Sequence, residues 1–331
     1  MMGFRWFRVL VQLSVGVVIL LWLLQLADIS KVSSTLLTVN PLNIVLASIF
    51  FIIASTFVAL ALYVSLKSSS PHIPARKVVM ASFAGQLLSD VTPVRSGYFA
   101  TPLILNRLCD IPVEKGMVGV LTTGIINSFV KVVLAGIAVA YFMRFLPLHP
   151  ALINALVVGI LFLLIGGLIL LALMLEKRVL KLKVIFEKLP LVRRVLLKLI
   201  EIFNRIQDEG QKVKGRFPHV ALLIVLSVVA NAMALYFICS TLWSGSPSLI
   251  DFIFIVALAS CLMYVPITIA GLGVQETGYI LLLTLLGMHF ESAVAFALLT
   301  RTLFTGTDAI GLYPLIRVGF RFEEEKAENG K

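Results

Sequence analysis

Six apolar runs, at residues 9–27, 41–66, 117–142, 151–175, 220–243 and 292–316, approach or exceed the ~20 residues a helix needs to cross hydrocarbon. In lipid every backbone polar group must be satisfied within the chain, and for runs of this length the helix does so. The charges obey the same pattern. Of 28 basic and 17 acidic residues, 17 fall within 176–217 and eight within the last fifteen, so some 270 residues carry only 20. Apolar residues make up 60% of the chain, against roughly 45–50% in a soluble domain. Soluble enzymes, disulfide-rich secreted modules and disordered polymers are thereby excluded. The expected fold class is all-α, a polytopic transmembrane helix bundle forming a single integral membrane domain over residues 1–331.

Two further apolar stretches are interrupted. Residues 78–90 and 98–105 read as helix, with Thr92-Pro93-Val94-Arg95-Ser96-Gly97 between them. Each half is too short to span, so the stretch is either one kinked crossing or a re-entrant hairpin. Charge decides between these. Segment 176–217 holds twelve basic residues against five acidic. A single crossing would put it outside, whereas a hairpin, or two crossings, keeps it inside, as the positive-inside rule favours. Residues 252–270 contain Pro266 and break at Gly271-Leu272-Gly273, and 274–287 resume. A second hairpin there leaves Arg317, Arg321 and the tail 318–331 in the cytoplasm.

The expected topology is six spans and two hairpins, or eight spans plus partial ones by a looser count, in the cell membrane with both termini cytoplasmic. The N-terminal run, after Arg5 and Arg8, is too long for a signal peptide and has no small-residue cleavage pattern. Pro93-x-x-x-Gly97 and Pro266-x-x-x-x-Gly271 occupy corresponding places with opposite orientation. Paired breaks of that kind point to a transporter site within an inverted repeat.

Within the linker, Leu191, Val195, Leu199, Ile202 and Ile206 recur at helical spacing, and Arg193, Arg194, Lys198 and Arg205 fill the other face. This reads as a basic amphipathic helix at the cytoplasmic headgroup level, held by anionic lipid. The linker accounts for seven of the net +11 charges, so nucleic acid is not an expected partner. Cys109, Cys239 and Cys261 are far apart, without a C-x-x-C pair, and indicate neither disulfides nor zinc. Gly271-Leu272-Gly273 does not continue as G-x-G-x-x-G, and there is no P-loop and no H-E-x-x-H. No cofactor or metal is expected.

An ionisable side chain inside the membrane costs ~2.5–3.5 kcal/mol on insertion scales, so each is a functional candidate. Lys131 has Asn127 at i−4 and Thr123 at i−8 on its face; Arg301 has Thr305 at i+4 and Asp308 at i+7. Glu276 stands in the first helical turn after its break, where a carboxylate also caps free N–H groups. Asp90 and Arg95 flank the other break. Arg95, Lys131 and Arg301 balance Asp90, Glu276 and Asp308. Two readings of that zero sum stand together: a static ion-pair network, and a substrate site whose cations exchange a carboxylate for a phosphate. The candidate binding residues are Asp90, Arg95, Asn127, Lys131, Glu276, Arg301 and Asp308, with Pro93, Gly97, Pro266, Gly271 and Gly273 forming the breaks.

Pro266-Ile267-Thr268-Ile269-Ala270-Gly271-Leu272-Gly273-Val274-Gln275-Glu276, then an apolar helix and Leu299-Thr300-Arg301, resembles the C-terminal signature of the lysylphosphatidylglycerol synthase transmembrane-region, or flippase-like, family. That signature is Pro-Gly-Gly-Leu-Gly-x-x-Glu with a downstream arginine. Thr92–Gly97 resembles the family's earlier Pro-x-Arg-x-Gly-Glu element, with Tyr98 where the glutamate usually stands. Asn127, Ser128 and Lys131 stand where the family carries a charged cluster.

The resemblance implies a multi-pass protein that moves or presents a polar or isoprenoid-linked lipid bearing a phosphate. In two-domain members a soluble synthase domain makes an aminoacyl lipid. These residues contain no such domain, so synthase activity is not expected of them. Two other functions fit the same residues: an intramembrane lipid-modifying enzyme using Glu276 or Asp90, and a membrane subunit that recruits a soluble enzyme through its linker.

Overall fold

A computed structural model describes residues 2–92, 95–146, 150–175, 204–245, 247–263, 268 and 271–319, with side chains from residue 14 onward. Pro93, Pro266, residues 176–203 of the basic linker and 320–331 of the tail lie outside the described residues. The described residues form eleven α-helices and no strand. In chain order these are α1 (Met2–Leu26), α2 (Ile29–Leu37), α3 (Pro41–Lys67), α4 (Ala75–Asp90), α5 (Thr101–Cys109), α6 (Val113–Phe142) and α7 (Pro150–Leu175). Then come α8 (Asn204–Leu242), α9 (Leu249–Met263), α10 (Val274–Leu285) and α11 (Phe290–Asp308), which continues through a 3₁₀ turn at Ala309–Gly311 as far as Gly319.

Five of these, α3, α6, α7, α8 and the continuous Phe290–Gly319, are long and apolar enough to cross a membrane. Ser14–Leu26 and Ile29–Leu37, bent by 91°, make a sixth span if counted as one. This agrees with an all-α polytopic bundle. The helix α2 has no counterpart in the sequence expectation. Its start is nonetheless encoded: Asp28 Oδ1 accepts from the Ser30 and Lys31 amides at 3.0 and 3.3 Å, an N-cap. Asn40 caps α3 similarly, accepting from Leu42 at 2.9 Å, with Pro41 at the first helical position.

The centre of the bundle is an antiparallel pair, α3 against α8. Asn43 donates to Ser240 at 3.1 Å at one end, and Ala61 clusters with Val220 and Ile224 at the other. Ala47, Ala54 and Ala61 recur every seven residues and are buried, and such small side chains let two helix backbones approach. The helix α9 is apolar on all sides along most of its length and accordingly buried, continuously from Ile255 through Met263. Phe296 of α11 packs on the Phe252 and Tyr279 rings, tying α9, α10 and α11 together. The described part of the linker extends α8 backward. There Ile206 and Val213 cluster with Val118 of α6, and Gln207 and Gln211 donate to the last carbonyls of α7.

Both interrupted stretches fold back on themselves. In the first, a 3₁₀ turn at Ser96–Ala100 leads into α5, and Ser82 meets the Tyr98 hydroxyl at 3.3 Å. Gly97 lies against the Leu88 carbonyl so closely that a Cβ would collide with it. In the second, Gly278 of α10 packs on Leu262 and Ala259 of α9, and Gly271 on Met263. At ~1.5 Å per residue, the 16 residues of α4 and 15 of α9 each fall short of a ~30 Å core. Each segment is a helical hairpin.

Candidate functional site

The first break is held by Arg95. It adopts left-handed backbone angles, φ 56° and ψ 29°, which are uncommon for any residue but glycine. Its side chain explains why that conformation persists. Nη2 binds Asp90 Oδ1 at 2.9 Å, Nε donates to Ser89 Oγ at 3.0 Å, and the guanidinium lies 5.4 Å from the centre of the Phe304 ring. A charged hydrogen bond and a cation–π contact together outweigh a backbone cost of about 1–2 kcal/mol. Thr92 Oγ1 accepts from the Gly97 amide and closes the turn.

The second break depends on glycine. Gly271 and Gly273 have φ of 72° and 80°, where a side chain is strained. A Cβ at Gly273 would also stand 2.8 Å from Ile19 and 2.9 Å from the Gly16 carbonyl, because α1 packs directly on this turn. Glu276 then caps α10: its Oε2 accepts from the Gly273 amide at 2.8 Å. Its Oε1 lies 3.4 Å from Arg301 Nη1 of α11. The carboxylate thus satisfies a helix N-terminus and a guanidinium together.

Beside the first break, α3, α4, α6, α7 and α8 enclose a cavity of about 290 Å³. Its polar wall includes Arg95, Gln86, Thr123, Asn127, Ser128, Lys131 and Asn231, while Phe99, Phe162, Leu163, Leu170 and Phe304 supply an apolar wall. The face of Thr123, Asn127 and Lys131 expected on α6 therefore lines one cavity. A second, smaller cavity of about 20 Å³ lies between Glu276, Arg301, Gln275 and Tyr279, room for about one water. It shares Asn231 and Phe304 with the first, so these two residues form the partition between the breaks.

The seven candidate residues divide into three groups. Arg95, Asn127 and Lys131 line the large cavity. Glu276 and Arg301 pair beside the small one. Asp308 is fully buried beside Asp90 and accepts from Ser55 at 3.2 Å. Gln86, Ser55, Ser227 and Asn231 also line the large cavity and were not singled out from sequence. Ser227 and Asn231 did carry a signal, an i, i+4 polar pair on one face of an otherwise apolar span.

The arrangement offers two cations and several neutral hydrogen-bond donors beside apolar surface. Such a wall suits an anionic group attached to a hydrocarbon body. In a comparison with known families, residues 9–305 match the one described as the lysylphosphatidylglycerol synthase TM region. No curated protein matches the chain.

Proposed function

The chain belongs to the lysylphosphatidylglycerol synthase TM-region family, and from that premise we propose that it moves a phosphate-bearing lipid across the bilayer as a flippase-like protein. It is a multi-pass membrane protein. The observation that carries the reading is the large cavity, lined by Arg95 and Lys131 together with aromatic and aliphatic side chains. Phosphate carries its charge on several acceptor oxygens, and paired cations with neutral donors recognise that geometry. At about 290 Å³ the space suits a headgroup, since ligand pockets start near ~300 Å³. The acyl chains then stay among the apolar outer faces of α3, α6 and α7.

The polar wall also lowers the barrier to crossing. A phosphate passing through hydrocarbon loses its water, whereas here fixed donors replace that water. The cell membrane is the proposed location, with both termini in the cytoplasm, following the positive charge of residues 176–217 and Arg317.

The test is transbilayer movement of fluorescent lipids in liposomes holding the purified protein. The wild type is expected to accelerate an anionic phospholipid more than a neutral glycolipid. Lys131→Met should slow the anionic lipid roughly tenfold or more, the equivalent of one charge-assisted hydrogen bond. Movement of no labelled lipid above the protein-free rate would overturn the reading.

A further inference from the structure

Asp308 and Asp90 form a carboxyl pair for which the static network of opposite charges leaves a donor missing. Asp308 is completely buried, and Asp90 keeps 8% of its side chain exposed. Each carboxyl has one oxygen satisfied: Asp308 Oδ1 by Ser55 at 3.2 Å, and Asp90 Oδ1 by Arg95 at 2.9 Å. The other oxygen of each, Oδ2, is buried and accepts no hydrogen bond from the described residues. The two side chains lie within hydrogen-bonding reach of one another.

Two adjacent carboxylates away from water do not both ionise. One hydrogen shared between the two carboxyls would turn one oxygen into a donor and make the other its acceptor. The charges then close as well: two carboxyls, one proton and the Arg95 guanidinium sum to zero. Among the described residues, Arg95 is the cation acting on Asp308, and Asp90 is the other charged group. From α3 comes Ser55, and the Arg301–Glu276 pair stands about two turns back along α11.

We propose that Asp90 and Asp308 hold one proton between them, a proton-binding site that Arg95 links to occupancy of the large cavity. The proton half stands on these side chains alone, and the link rests on the function proposed above. Arg95 reaches both places: it binds Asp90 and lines the cavity. When its guanidinium turns to an anionic headgroup, Asp90 loses its cation and takes a proton from solution. One negative charge enters the cavity and one proton enters the pair, so the bundle's net charge is unchanged. By reciprocity, acid then tightens headgroup binding, and the headgroup raises proton occupancy.

Infrared spectra of the purified full-length protein in detergent, recorded near neutral pH in H2O and D2O, test the pair without any lipid movement. The wild type should show a protonated-carboxyl C=O band that shifts in D2O, and Asp308→Asn and Asp90→Asn should each lose it. Either amide can donate to the remaining free oxygen, so both variants should fold; thermal melting checks this, and either variant alone suffices. Absence of the band in the wild type, or its persistence in the folded variants, overturns the proposal, as does a band that sodium abolishes. A second reading adds short-chain phosphatidylglycerol to weakly buffered protein and follows a pH dye. Proton uptake by the wild type, lost in Asp90→Asn, supports the link. Binding without uptake, where the band is present, overturns the link while leaving the pair. No binding at all fails the proposed function and the link with it, and the band still decides the pair.

Discussion

Arg301 and Asp308 stand seven residues apart on one face of α11, about two helical turns, and each engages a different broken segment. Arg301 meets Glu276 beside the second break, and Asp308 adjoins Asp90 beside the first. The last helix therefore ties the two hairpins together through buried polar contacts. Gly311, one turn on, fixes the register by lying directly on the Phe83 carbonyl of α4. A change at either break is felt by the same rigid rod.

The Glu276–Arg301 pair should contribute strongly to stability, because removing one partner strands the other in the interior. The Glu276 side chain is 3% exposed. Arg301→Ala is expected to cost about 3–5 kcal/mol, read as a fall in thermal midpoint in detergent. The double variant Glu276→Gln, Arg301→Gln should recover part of that loss. The Lys31–Glu291 pair at 3.7 Å is a contrast, since Lys31 is 66% exposed. Lys31→Ala is expected to change stability by less than about 1 kcal/mol.

Gly273→Ala combines a strained positive φ with a Cβ pressed into α1. The loss should exceed the ~1 kcal/mol of the backbone term alone. Gly136 of α6 has open space around its Cα. Gly136→Ala should leave the fold unchanged or raise its stability by about 0.5–1 kcal/mol, the usual helix-interior gain. Thermal unfolding of both variants in one detergent checks the difference in sign.

Ser55→Ala removes the hydroxyl that donates to Asp308 Oδ1 and leaves that oxygen of a fully buried side chain without its donor. The expected cost is about 1–3 kcal/mol. Ser55→Thr keeps the hydroxyl and should retain most of the stability. Equal melting of Ser55→Ala and wild type would show that the hydroxyl contributes nothing.

Much of this was legible in the sequence, for identifiable reasons. Hydropathy located the spans, since lipid requires an apolar run of set length wherever it is crossed. The breaks showed through Gly97, Gly271 and Gly273, which are needed where backbones meet or φ turns positive. Glu276 was visible as a capping residue, and the Thr123–Asn127–Lys131 face through helical periodicity. Partners across the bundle were not legible. Nothing local joins Asp308 to Asp90, 218 positions earlier, or Asn231 to Phe304; only tertiary packing does. The helix α2 escaped because it is nine residues long, below the length at which an apolar run stands out.

The most direct measurement of the cavity's role fills it and compares transport with fold. Gly124 lines the cavity on α6 and has nothing within 4 Å of the place where its Cβ would stand, and the same holds for Gly136, an exposed position on that helix. Gly124→Leu and Gly136→Leu should fold alike in thermal melts. In liposomes, Gly124→Leu should abolish accelerated movement of the anionic phospholipid, while Gly136→Leu matches wild type. Equal movement by both variants, with Gly124→Leu properly folded, would contradict a headgroup path through this cavity.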